Sequence, residues 1–428
     1  MKLPRQANDR FCGTTHRQGL MNRRSLLKGV AALPLAYLIT ACQPQAPDII
    51  IQLLGNSIPT ALLREFQQTY PSQFIQFRVA ETLASLYDSL TADNSPTSPS
   101  SVTASTLGDY WLTPAIQQNL ITPLNIDTLE GWSRIPTALK ELVTRDANGM
   151  PLSDGQVWGA PYRWGSLALI YRVEAFQSLG WKPEDWSDLW RPELNQHLSL
   201  PDSPRIVIGL ALKQLAQSLN AERIDNQSLA QHTQLSNTLN ELHRQVKFYS
   251  SSDYLQPLIL EDTWLAVGWS TDILPLLRRD RRFAGVIPAS GTILTADVWV
   301  QPQDSASKLA SSQEKTTPKP SPSPIEESGG DAANSNLSMN TILKSWIEFC
   351  WKSNIAQRLS LQGFAASPVL IEGDRNQLPA SLRNDAVLLP EASIIKNSEF
   401  LLPLPDAVLK DYQQLWTSMR LDNSPQSE

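Results

Sequence analysis

The sequence predicts an α/β protein folded as two lobes, and three observations carry that reading. Strand and helix patterns alternate from residue 48 onward, as in a largely parallel sheet covered by helices. The chain of 428 residues, even without a leader of residues 1–41, is longer than one hydrophobic core usually organises. Two Ser/Pro-rich stretches, at residues 95–105 and 303–339, interrupt the pattern without ending it.

The elements follow in order. Arg23, Arg24 and Lys28 precede an apolar run over residues 29–41, and small residues then lead to Cys42; this is the layout of an export signal. The run contains Pro34 and is much shorter than the ~20 residues that a membrane-spanning helix needs. Cleavage is expected before Cys42. Residues 48–54 read as a strand that ends in Gly55-Asn56-Ser57-Ile58-Pro59. Leu62, Leu63 and Phe66 then recur at helical spacing, with Pro59 near the first turn and Ser57 able to cap. A second strand at 74–79 and a second helix at 83–90 complete a β-α-β-α opening. Further strands are expected at 107–112 and 158–172, around a helix at 113–120. Residues 303–339 hold almost no large apolar side chain, so burial cannot offset the entropy of ordering them, and the reading is a disordered insertion. A helix resumes with Ile342, Leu343, Trp346, Ile347, Phe349 and Cys350.

Composition narrows the chemistry. A net charge of −6 and the lack of a basic stripe argue against a nucleic-acid partner. Of three cysteines, Cys12 lies in the leader and Cys42 at its end, which leaves Cys350 alone and no intramolecular disulfide. Cys350 lies on a helix face, where packing is the expected role. There is no Gly-x-Ser-x-Gly elbow, His-Glu-x-x-His helix or phosphate loop, so no enzyme, cofactor or metal site is expected. His197, His232 and His243 are read as uninformative, the last two as solvated surface residues of a polar helical segment.

Resemblance adds to this. Ile39-Thr40-Ala41-Cys42 resembles a bacterial lipoprotein box, which implies acylation of Cys42 and a membrane anchor outside the cytoplasm. The Arg23-Arg24 pair resembles a twin-arginine signal, with Asn22 where Ser or Thr is commoner. The run Trp158 to Arg172 contains Pro161-Tyr162-Arg163-Trp164-Gly165, and Trp186-Ser187-Asp188-Leu189-Trp190 follows. Gly268-Trp269-Ser270-Thr271-Asp272 and Ala296-Asp297 before Val298-Trp299-Val300 continue the series. In this order the segments resemble the type II solute-binding proteins of ABC transporters, in particular the spermidine/putrescine-binding family.

The resemblance implies a two-lobe type II periplasmic-binding fold with two interlobe chain crossings, at residues 162–166 and 294–297. Lobe one would comprise 48–163 and 297–361, lobe two 164–296 and 362–428, each with its own sheet. It also implies a receptor that hands a small solute to a separate permease and ATPase. Such a site needs rigid aromatic walls and a few fixed polar groups. Carboxylates would meet ammonium ends while aromatic faces cover methylenes. Tyr110, Trp111, Tyr162, Trp164 and Trp269 are the candidate walls; Asp109, Asp272 and Asp297 are the candidate carboxylates. Bland roles compete: Asp272 as a cap for a helix through Leu277, Trp111 and Trp299 as core, Asp297 as a brace for the crossing.

The chain departs from the family where Asn56, Ser57 and Ile58 replace aromatic residues and where Ser203 and Ile206 replace acidic ones. The expected solute is therefore a polyamine or another small cationic or polar molecule. A structural or assembly lipoprotein that kept the binding fold is the alternative, and an exported hydrolase the third.

Overall fold

The structure is a computed structural model that describes residues 49–92, 102–303 and 330–421, with side chains of the last stretch described from residue 340. The expected export signal at 1–41, Cys42 and most of the expected insertion at 303–339 lie outside the described residues.

Strand β1, Ile49–Leu54, is an almost unbroken apolar run because both faces of its sheet are covered. It pairs in parallel with β2, Ile75–Ala80, and with β3, Ala104–Gly108. The intervening helices Thr60–Thr69 and Leu83–Ala92 bury Leu62 and Phe66, and Leu86, Tyr87 and Leu90. On the far side of the molecule Leu198–Pro201 pairs in parallel with Leu265–Trp269 and Val246–Ser250.

Two long strands join these halves. The first crossing strand, Ala160–Arg172, pairs through its N-terminal half with the second, Ile293–Pro302, and through its C-terminal half with Leu265–Trp269 and Phe283–Val286. The second crossing strand continues antiparallel to β3. Both crossings are present, but the expected separation into two sheets is corrected. Because the crossing strands are paired with each other, one hydrogen-bonded path runs from Val246–Ser250 to β2.

Packing still concentrates in distinct clusters. One gathers Ile49, Phe66, Trp299, Trp346 and Trp351. Another gathers Leu167, Leu198 and Leu265 with Leu210 of helix Pro204–Gln214 and Tyr412 of helix Asp406–Leu421.

Three local expectations change. The helix Gly330–Trp351 begins inside the stretch read as a disordered insertion, consistent with propagation from a packed C-terminal half, since each added residue costs less than nucleation. His232 and His243 are buried: the His232 ring accepts the N–H of Leu235 at 3.2 Å as a helix cap, and His243 Nδ1 lies 3.0 Å from the Tyr249 hydroxyl. The helix Ser270–Arg279 runs past Leu277, and no side chain caps its N-terminus.

Candidate functional site

A cavity of about 1170 Å³ opens where the two crossings meet. Arg163, Trp164 and Gly165 reach it from the first crossing strand, and Leu294, Thr295 and Asp297 from the second. The turn after β3 adds Asp109 and Tyr110, and the start of helix Ser270–Arg279 adds Trp269, Thr271 and Asp272. An apolar wall comes from Leu401, Leu402, Pro403, Leu404 and Pro405, ahead of the last helix.

Asp109 is 3% exposed. Its Oδ1 accepts the Thr295 hydroxyl at 2.8 Å and the Ala296 N–H at 3.1 Å. Burial pushes its pKa up to about 6, against the pull of those hydrogen bonds and of the Arg145 charge. Asp297 forms an ion pair with Arg163 at 2.5 Å. Burial opposes the Arg163 charge most strongly, but Asp297, Tyr162 and Asp272 together outweigh it and hold the guanidinium above its ordinary pKa. Asp272 is open to the cavity, yet the surrounding protein pushes its carboxyl up, with the Tyr254 hydroxyl bond and the Arg163 charge opposing. The Tyr254 hydroxyl donates to Asp272 and accepts the N–H of Trp269 at 3.4 Å.

Of the eight residues singled out in the sequence, six line the cavity: Asp109, Tyr110, Trp164, Trp269, Asp272 and Asp297. Trp111 and Tyr162 are not among its lining residues. Trp111 stacks on Tyr87 with centroids 4.2 Å apart, and the fully buried Tyr162 stacks on Trp299 at 4.5 Å. The register between the crossing strands shifts between Asp297 and Val298, so Tyr162 is the extra residue of a bulge.

The residues that replace family aromatics, Asn56, Ser57 and Ile58, do not line the cavity; Ser203 and Ile206 do, with Ser203 capping helix Pro204–Gln214. Arg145, Arg163 and Arg205 also line it and were missed. Arg163 occupies the unspecified position of its motif, and Arg145 comes from a distant hairpin with no sequence signal. Arg145 is 1% exposed, donates to Thr113, Gly149 and Leu142, and burial lowers its pKa to about 10. Among the described residues no cluster of His, Cys, Asp and Glu could hold a metal ion, and no helix is long and apolar enough to cross a membrane.

Paired crossings around a polar-aromatic cavity define the class: a type II periplasmic-binding fold. The structure of the Streptococcus pneumoniae spermidine/putrescine ABC transporter substrate-binding protein PotD matches with a TM-score of 0.67 at 18% identity, covering 87% of this chain and 98% of that one.

Residues 101–312 match the model of the bacterial extracellular solute-binding protein family. The putrescine-binding periplasmic protein PotF of Escherichia coli is 24% identical over 200 residues, 44% of this chain and 51% of that protein. The spermidine/putrescine-binding periplasmic protein 1 of Haemophilus influenzae is 22% identical over 289 residues, 67% of this chain and 68% of that protein. The chain thus spans about half the length of the first of these curated relatives.

Proposed function

We propose that the protein is the extracytoplasmic solute-binding receptor of an ABC importer, for a polyamine or a related small cationic or polar solute. The observation that carries this reading is the cavity at the crossings, where Asp109, Asp272 and Asp297 share one space with Tyr110, Trp164 and Trp269. Carboxylates meet ammonium groups, and aromatic faces cover methylenes and favour cations. The polyamines bound by the similar Escherichia coli and Haemophilus influenzae proteins point the same way. Lobe one would run over 48–163 and 297–361 and lobe two over 164–296 and 362–428, closing on the solute. A separate permease and ATPase would receive it, and ATP would be hydrolysed there. Cys42 would carry the lipid anchor after cleavage of residues 1–41.

The test is calorimetry and thermal shift of the purified protein against polyamines, amino acids, sugars and metal ions. Saturable binding stabilises the folded state by RT ln(1 + [L]/Kd), about 2.7 kcal/mol at a hundredfold excess over Kd. Saturable binding of a small organic solute supports the receptor. No response to any class, or turnover of a solute, overturns it.

A further inference from the structure

Arg163 and Asp297 are register partners on the two crossing strands, so backbone pairing holds their side chains together. The side chains are 12% and 8% exposed. Nε of Arg163 donates to Asp297 Oδ2 at 2.5 Å, and Nη1 donates to the Gly363 carbonyl at 3.3 Å. Nη2 has no hydrogen-bond partner among the described residues, although Arg163 lines the cavity. The guanidinium is thus a tethered cation in the position that a solute ammonium would need in order to reach Asp297.

We infer that Arg163 is a specificity-determining residue, which selects for solutes that pair one ammonium group with a carboxylate and against those that end in two ammonium groups. The inference rests on the receptor reading and narrows its solute class. A diamine that used Asp297 would have to break a buried ion pair and leave Arg163 without its partner, or crowd two cations onto one carboxylate. A carboxylate end meets Nη2, the guanidinium nitrogen left without a partner, in a charge-assisted hydrogen bond. The ammonium end is left with Asp109 and Asp272, which line the same cavity. Arg145, a second buried guanidinium there that donates to Leu142, Thr113 and Gly149, disfavours a second ammonium through its charge.

The experiment is calorimetry with putrescine and with 4-aminobutanoate, in which a carboxylate replaces one ammonium group on a short aliphatic chain. The wild-type protein is expected to bind the amino acid at least about tenfold more tightly, a difference equivalent to about 1.4 kcal/mol. Arg163→Gln is expected to lower that ratio to about one or invert it, by weakening the amino acid and strengthening the diamine. Because Asp297 loses its partner in that variant, R163Q/D297N carries the same comparison if the single variant does not fold: loss of the preference supports the assignment. Tighter wild-type binding of putrescine, or a ratio that neither variant changes, overturns the role of Arg163 and keeps the receptor. Absence of binding by any solute of the wider screen overturns both.

Discussion

The carboxylate of Asp109 accepts the backbone N–H of Ala296 at 3.1 Å, which ties the turn after β3 to the second crossing strand beside the cavity. A candidate ligand group thereby also braces the place where the chain passes between the two halves. The two roles are separable, because the brace can be kept by an amide while the charge cannot.

Asp109→Asn tests that separation through pH. An aspartate ordinarily titrates near 3.9, whereas burial holds Asp109 at about 6 in the folded protein. Between roughly pH 4 and 6 the folded state therefore binds more protons than the unfolded state, so this group's contribution to stability falls as pH rises through the window and levels off above it. The full span is of order 3 kcal/mol. Denaturant midpoints of the wild type should decline through that window relative to D109N, and identical pH profiles would refute the assignment. Affinity of the wild type for a cation should rise over the same interval as the carboxylate ionises.

Asp272 offers a second test. The bond from Tyr254 and the lack of a side-chain cap on helix Ser270–Arg279 favour a cavity role over capping. Asp272→Ala should weaken a cationic solute by roughly 2–5 kcal/mol. Tyr254→Phe removes the hydroxyl's bonds to Asp272 and to the Trp269 N–H, each worth about 1 kcal/mol, and leaves the Asp272 charge in place. Titration calorimetry ranks the two; a D272A protein with unchanged affinity and lower melting temperature would return Asp272 to a structural role.

Much of the fold was legible because the signals are local. Ile49, Ile50 and Ile51 announce a strand buried on both faces, and the 3.6-residue spacing of Ile342, Trp346 and Ile347 announces the helix face that carries Trp346 against Phe66, Phe77 and Trp299. The site was less legible for three physical reasons. Period-two reasoning treats Tyr162 and Trp164 alike, but the bulge at Tyr162 breaks the alternation: both are buried in one core cluster, and of the two Trp164 alone also lines the cavity. Arg145 reaches the cavity through tertiary packing alone, and its partner Thr113 stands 32 positions away in the sequence. Arg163 was in view but unread, because a motif names only the positions it specifies.

Cys350 should be chemically silent in the folded protein. It is fully buried, and burial raises the pKa of its thiol, with the neighbouring Trp299 opposing weakly. Only the thiolate reacts, so an aromatic disulfide reagent should leave Cys350 unmodified under native conditions and label it in denaturant. Peptide mass spectrometry locates the label, and rapid native labelling would contradict the burial.

Gly268 makes the most specific packing prediction. A Cβ there would lie 2.4 Å from Cε2 of Tyr254, the ring whose hydroxyl reaches Asp272. Gly268→Ala must therefore push the ring away from strand Leu265–Trp269, at a cost of about 1–3 kcal/mol from overpacking. Moving the ring also moves its hydroxyl, so cation affinity should fall with stability. Tyr254→Ala removes the obstacle, and the added methyl should then cost much less. Combining the two substitutions should give a destabilisation smaller than the sum by at least about 0.5 kcal/mol, the margin that separates coupled from independent sites. Denaturant unfolding of the wild type, both single variants and the double variant measures the coupling. Additive effects would mean that Gly268 and Tyr254 are not in contact, and that the aromatic edge of the cavity is set by another element.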